Sequence, residues 1–184
     1  MSDRQRLKEL LLSHSYLKKR VVLTSGRESD FYIDAKRTTL LAEGAYLCGR
    51  LLFQLLRDQP QPIVAVGGMT LGADPLVTAV ALVSHLEGQG IPAFIVRKEP
   101  KKHGTAAFIE GRENIPDNSR VALVEDVVTT GGTLLKTIER VEAEGLTVGL
   151  VVTVVDRQEG GAEALAAAGY PLRAIFTRLD LIGG

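Results

Sequence analysis

The chain is poor in cysteine, in net charge and in long apolar runs, and each shortage excludes a class of protein. A single cysteine in 184 residues, Cys48, allows no internal disulfide, so a disulfide-stapled scaffold is excluded and a reducing cytoplasm is the expected location. The 22 basic residues are balanced by 22 acidic ones. No overall field therefore draws the chain to nucleic acid or to an anionic membrane, and any anion site must be local. The N-terminus MSDRQRLKELLLSHSYLKKR lacks the apolar core of a signal peptide, and no stretch approaches the roughly 20 apolar residues a membrane span requires. Three scattered histidines and one cysteine make no zinc-ligand cluster. No G-x-G-x-x-G follows an expected strand. Gly67 and Gly72 have the glycine spacing of a Walker A loop, but Ala73 stands where its lysine must be. Hydride transfer on a dinucleotide, zinc hydrolysis and P-loop ATP binding drop out together.

What is present is an ordinary globular composition, 45% apolar and 24% charged, in a chain of one-domain length. Leu7, Leu10, Leu11 and Leu12 recur at near-helical spacing, which predicts an amphipathic helix over the first fifteen or so residues. VVLTSGRESDFYIDAKRTT then reads as two short extended pieces around a turn-rich loop, and Leu40 to Leu56 as a helix. From there the chain alternates. Short apolar runs that suit buried strands (IVAV from Ile63, AFIV from Ala93, VALV from Val121, VGLVVTVV from Val148, LRAIFT from Leu172) are separated mostly by helical stretches at Asp74 to Glu87, Gly132 to Glu144 and Ala162 to Ala168. Gly145 and Gly169 supply left-handed C-caps to the last two helices. The expected fold is α/β, a mainly parallel sheet flanked by helices, with ligands beyond the carboxyl ends of its strands. One interval breaks the rhythm: RKEPKKHGTAAFIEGRENIPDNS is too long and too aperiodic for an ordinary connection, and such loops are usually functional or disordered.

The segment VALVEDVVTTGGT carries the most chemistry. An apolar strand ends in two carboxylates, Glu125 and Asp126, followed by Thr129, Thr130, Gly131, Gly132 and Thr133 at the start of a helix. Helix N-terminal amides attract a phosphate, glycine lets the backbone approach it, threonine hydroxyls add donors, and the carboxylates can accept from ribose hydroxyls. A structural reading competes, since Thr and Asp also cap helices without any ligand, although one cap suffices and two adjacent acids exceed that need. The run Arg97, Lys98, Lys101, Lys102 and His103 concentrates positive charge in a neutral chain. It reads either as a solvated face or, from its place at a strand end with Gly104 as hinge, as an anion-binding lid. Cys48 falls inside a helical pattern and reads as core, while His14 and His85 have no cluster beside them and read as structural.

These segments together resemble the type I phosphoribosyltransferases. VALVEDVVTTGGT resembles their phosphoribosyl pyrophosphate (PRPP) signature, and SGRESDFYIDAKRT and RKEPKKHGT resemble the orotate branch of that family, in the same order along nearly the whole chain. The resemblance implies a type I phosphoribosyltransferase fold with a small N-terminal hood: residues 1–184 as one domain, with about 1–38 covering the base. It also implies transfer of 5-phosphoribosyl from PRPP to N1 of orotate. By that similarity Glu125, Asp126, Val127, Val128, Thr129, Thr130, Gly131, Gly132 and Thr133 bind the ribose and 5-phosphate, and GGMTLG forms the pyrophosphate loop. Arg97, Lys98, Lys101 and His103 contact PRPP, and Lys101, His103 and Asp126 are the catalytic candidates.

Thr129 and Arg157 are implied for orotate, whose carboxylate calls for a bidentate cation; a salt bridge from Arg157 to Asp156 or Glu159 is the structural alternative. Tyr32 and Lys36 are implied over the base. Magnesium is the expected cofactor, bound mainly through PRPP and pyrophosphate oxygens with no direct protein ligand assigned. A homodimer whose lid is shared between subunits is implied by resemblance alone. The sequence departs from the pattern at Thr24 and Leu71, where some orotate enzymes carry lysine. Two further readings stand beside this one. A purine phosphoribosyltransferase would share the PRPP loop without needing Arg157, and a PRPP-sensing regulator would bind nucleic acid, against which the neutral charge argues.

Overall fold

Apolar runs without a polar face must be buried on both sides, and the computed structural model, which describes residues 1–17, 21–22, 28–29, 32–100 and 108–183, stacks them into one six-stranded sheet. The N-terminal part consists of α1 (Asp3–Leu10), a π-helical turn (Leu11–Ser15), the strands β1 (Tyr16–Leu17), β2 (Val21–Val22), β3 (Glu28–Ser29) and β4 (Tyr32–Ile33), and α2 (Lys36–Thr39). Then follow α3 (Ala42–Arg57), β5 (Ala65–Met69), α4 (Asp74–Leu86), β6 (Ala93–Val96), β7 (Ile109–Glu110) and a 3-10 turn (Arg112–Asn114). The chain finishes with β8 (Arg120–Val128), α5 (Gly132–Ala143), β9 (Thr147–Asp156), α6 (Gly161–Ala167), β10 (Leu172–Thr177) and α7 (Arg178–Ile182). The sheet order is β10-β9-β8-β5-β6-β7, parallel throughout except for β7, which runs antiparallel to β6. This is the expected mainly parallel α/β architecture.

Alternate strand residues face opposite layers. Val66, Ala122, Val124 and Val152 pack against Leu7 and Leu11, Leu52 and Phe53 of α3, and Val77 and Val80 of α4. Ala65, Leu123 and Val151 pack the other way, against Leu134, Ile138 and Val141 of α5 and Leu165 of α6. Cys48 is buried in the first layer, and His14 and His85 are exposed. Gly145 and Gly169 close their helices with φ of +75° and +91°, the left-handed geometry glycine adopts without strain. Among the described residues no helix is long and apolar enough to cross a membrane.

The N-terminal strands form two antiparallel ladders, β1 with β4 and β2 with β3, where two extended pieces were expected. Residues 23–27, which include Thr24 and the SGR triplet, lie outside the described residues. Arg4 clasps the other end of the chain: its guanidinium donates to the Ile175 carbonyl at 3.2 and 3.3 Å, pairs with Asp180 at 3.3 Å and lies 4.7 Å from the Phe176 ring. The long aperiodic interval is shorter than the sequence implied, because Ile109 is buried and pairs back onto Val96.

Gly67 and Gly68 belong to β5 and not to the turn that follows it. A Cβ on Gly67 would sit 2.1 Å from the Phe94 ring, and one on Gly68 2.2 Å from the Val124 carbonyl oxygen and 2.4 Å from the Ala73 Cβ. These glycines serve close packing of the strand, a demand made by residues distant in sequence. Replacing Gly68 by Ala should therefore destabilise the protein by about 1–3 kcal/mol through overpacking, read as a lowered urea midpoint at unchanged slope. An unchanged midpoint would show that the Val124 backbone yields.

Candidate active site

β5 is the first strand of the large sheet in chain order, with β6 on one side of it and β8 on the other. The connections leave in opposite directions, so a crevice opens beyond the carboxyl ends of β5 and β8. Its floor is the acidic pair. Glu125 and Asp126 are both buried, yet β8 runs past them to Val128, held by pairing with β9 through Val128 and Asp156. The carboxylates thus lie inside the strand and not at its tip.

The turn after β5 presses on both acids. A Cβ on Gly72 would meet Asp126 Oδ1 at 2.6 Å and Glu125 Oε1 at 2.9 Å, so only glycine fits there without displacing them. The Thr70 hydroxyl donates to Asp74 Oδ2 at 2.7 Å and ties this turn to the start of α4. Asp126 Oδ1 accepts from the Val127 amide at 2.9 Å, and Glu125 Oε1 from the Asp126 amide at 3.3 Å. From the N-terminal layer, Lys36 Nζ reaches Asp34 at 2.9 Å and Asp126 Oδ2 at 3.7 Å.

Burial, and then the neighbouring Asp126 charge, push the Glu125 carboxyl well above the ordinary carboxylate range. The Asp34 hydrogen bond, opposed by partial burial and aided by the Asp126 charge, raises the Lys36 ammonium. Glu125 therefore enters the cleft as a carboxyl that holds its proton.

A cavity of about 300 Å³ opens over the pair, walled by Lys36, Met69 to Gly72, Lys98, Val127 and Thr133. A smaller hollow of about 40 Å³ lies over Thr129 to Leu134. There Gly131 has φ +79° at the N-cap of α5, and no side chain caps the helix. Its first amides have no side-chain cap, so the Thr and Asp of this turn do not serve as one. The loop is seated tightly on the next helix: a Cβ on Gly161 would lie 2.5 Å from the Thr129 carbonyl oxygen.

The other residues singled out from the sequence are distributed as follows. Lys98 lines the larger cavity. The Arg97 guanidinium is paired with Glu110 at 2.8 Å, at the stem of the β6–β7 hairpin. Lys101, Lys102, His103 and Gly104 lie outside the described residues. Thr129 and Arg157 stand beyond neighbouring strand ends, with the Arg157 amide donating to the Val128 carbonyl at 2.9 Å. The Arg157 guanidinium is 5% exposed and pairs with Glu159 at 2.8 Å, whereas Asp156 accepts from the Gln158 amide. Tyr32 is exposed on β4, and Leu71 is exposed on the turn after β5. Sequence reasoning missed the contact of Gly72 with the acids and that of Lys36 with Asp126. Both join segments more than fifty residues apart, and no local pattern announces them.

Residues 37–168 match the family model for the phosphoribosyl transferase domain. The orotate phosphoribosyltransferase of Sorangium cellulosum (strain So ce56) is 50% identical over 181 residues, covering 98% of this chain and 94% of that protein. The crystal structure of Mycobacterium tuberculosis H37Rv orotate phosphoribosyltransferase in complex with Fe(III) dicitrate is similar with a TM-score of 0.84 at 42% identity, over 98% of this chain and 99% of that one. The structure of the same mycobacterial enzyme in complex with 5-phospho-alpha-D-ribosyl 1-diphosphate gives 0.79 at 40% identity over the same shares. The chain belongs to the phosphoribosyltransferase family and, within it, to the orotate phosphoribosyltransferases.

The raised Glu125 carboxyl has a consequence for stability. The folded protein keeps a proton that the unfolded chain releases near pH 4.3 or so, the ordinary glutamate value. This contribution is fully present below that pH and is lost as pH rises toward the folded value. A series of urea midpoints across acid to mildly alkaline pH should fall with rising pH in the wild type, and Glu125→Gln should flatten that slope. Equal slopes in the two proteins would place the ionised form in the folded state.

Proposed function

We propose that the cleft condenses orotate with PRPP to give orotidine 5-phosphate and pyrophosphate, a step toward UMP, with the whole chain, residues 1–184, acting as one unit under its N-terminal hood. One observation carries this reading. A buried acidic pair touching the Gly72 turn faces the same crevice as an uncapped helix N-terminus, and a sugar phosphate needs both acceptors for its hydroxyls and donors for its phosphate.

Glu125 and Asp126 then take the ribose 2- and 3-hydroxyls. Val127, Val128 and Thr129 to Thr133 hold the 5-phosphate through backbone amides and hydroxyls, and the turn Thr70 to Gly72 faces the diphosphate. N1 of orotate forms its bond to the anomeric carbon as the carbon–oxygen bond to pyrophosphate breaks, with no covalent enzyme intermediate. The transition state carries oxocarbenium character while charge gathers on the leaving diphosphate. Cations that meet it there, Lys98 together with Arg97, Lys101 and His103, stabilise the transition state more than the bound substrate. Thr129 and Arg157 hold orotate, the latter through its carboxylate.

Magnesium, carried by diphosphate and ribose oxygens, supplies charge neutralisation when bound. The donor chemistry suits such a cation. Glu125 and Asp126, which line the cavity, would lie beside a magnesium ion brought by the substrate's oxygens.

The protein works in the cytoplasm as a homodimer whose lids cross between subunits. An apolar hollow of about 510 Å³ along α3 and α4, with Leu40, Tyr46, Leu82 and Leu86 exposed beside it, supports that assembly. Light scattering on the purified protein should give twice the chain mass, and Leu82→Glu combined with Leu86→Glu should give the single-chain mass. A wild-type monomer would overturn the dimer.

The decisive assay mixes protein, PRPP, magnesium and orotate and follows loss of orotate absorbance, with adenine, hypoxanthine, xanthine and uracil in parallel. Turnover of orotate alone is expected, and PRPP binding without turnover of any base would leave a regulator as the better reading. In the same assay Lys101→Ala should lower kcat/KM by about 2–4 kcal/mol of transition-state stabilisation. Unchanged kinetics for that variant would remove the lid from the mechanism.

A further inference from the structure

Arg140 lies on α5, two turns beyond the phosphate loop, and none of the chemistry above uses it. Its guanidinium nevertheless joins three segments, two of which, at Met69 and at Lys98, wall the larger cavity. Nη1 donates to the Arg97 carbonyl at 2.6 Å and Nη2 to the Lys98 carbonyl at 3.0 Å, where the chain leaves β6. The same Nη1 lies 3.7 Å from Met69 Sδ, at the end of β5 just before the pyrophosphate turn. The face of the group covers the Phe108 ring at 4.4 Å, just before β7. Arg97 and Phe108 are themselves joined, the Arg97 amide donating to the Phe108 carbonyl at 2.8 Å.

A planar group with donors at its edge and a polarisable face can meet two carbonyls and a ring together, which an ammonium cannot. Among the described residues no carboxylate pairs with Arg140, so its role is not that of an ion-pair partner. α5 starts at the uncapped loop, so the guanidinium fixes the distance between the 5-phosphate amides at one end of the substrate and Lys98 at the other.

We propose that Arg140 is a positioning residue for phosphoribosyl transfer, acting through Lys98 by holding the Arg97–Lys98 backbone against the phosphate helix. The proposal rests on the reading of the cavity as the PRPP site. Reacting groups tolerate little displacement, since a shift of about 1 Å can cost on the order of a hundredfold in rate.

The test is a kinetic cycle with Arg140→Met, Arg140→Lys, Lys98→Met and the Arg140→Met/Lys98→Met double variant. Orotate turnover and PRPP binding, the latter by calorimetry without orotate, are both measured. Arg140→Met should weaken PRPP binding and lower kcat/KM for PRPP by about tenfold or more, with KM for orotate nearly unchanged. Arg140→Lys should show most of the same deficit, because it keeps the charge and loses the geometry. The double variant should be little worse than Lys98→Met alone, since the two residues act through one position.

Deficits that multiply in the double variant, full recovery in Arg140→Lys, or a wild-type-like Arg140→Met would each overturn the proposal. If Arg140→Met fails to fold, Arg140→Lys with and without Lys98→Met carries the same comparison. Wild-type protein that binds no PRPP would sink the reading of the cavity itself, a result distinct from PRPP bound equally by wild type and variants.

Discussion

Two adjacent carboxylates inside a buried parallel strand impose a condition that the surrounding structure has to meet. Each taken alone would cost several kcal/mol to bury ionised, and side by side they repel. The protein meets the condition with backbone amides at Val127 and Asp126, with Lys36 arriving from the N-terminal layer, and with a proton retained on Glu125. A glycine turn is laid against both oxygens so that no side chain seals them from the cleft. The sheet order follows suit, because only at the junction where β6 and β8 flank β5 does a crevice open above such a pair.

In the proposed reaction the acidic pair and the uncapped helix would divide the substrate between them. One end of the cleft presents acceptors and the other presents donors, so a ligand with hydroxyls in its middle and phosphate at its end has a single favourable orientation. Cationic residues are supplied from a different segment, the one that leaves β6. The neutral overall charge leaves any attraction for an anion to such local groups.

Much of this was legible in the sequence, for identifiable reasons. The alternation of buried strands with amphipathic helices fixes a parallel α/β sheet because each run has only one way to be covered. The EDVVTTGGT segment carries both the buried acidic pair and the uncapped helix start within nine residues. What was not legible depends on tertiary distance. Gly67 and Gly68 look like loop residues and are in fact packing residues, because Phe94 and the Val124 backbone come from other strands. Lys36 is spaced as part of a base-covering segment, and its approach to Asp126 depends on how the N-terminal layer folds over the sheet. The short β7 escapes notice because two residues make no period, and only burial of Ile109 reveals it. Arg157 was read either as the clamp on the orotate carboxylate or as paired with Asp156 or Glu159, and local sequence could not choose between those two acids, of which Glu159 is the one that reaches it.

The clasp of Arg4 on Ile175, Phe176 and Asp180 bears on how the chain matures. The groups that receive it sit on β10 and α7, downstream of every other element, while Leu7, Leu10 and Leu11 belong to the same apolar layer as Phe176 and Leu181. As the chain leaves the ribosome, α1 can find α3 early, through Arg6 on Glu43 and Asp3 on Arg50, but its second anchor does not yet exist. The packing of the first helix is therefore completed only once β10 and α7 have been made, and until then part of its apolar stripe is open to solvent and to chaperones. Shortening the protein at its C-terminus would thus be felt at the N-terminus, although almost the whole sequence separates them.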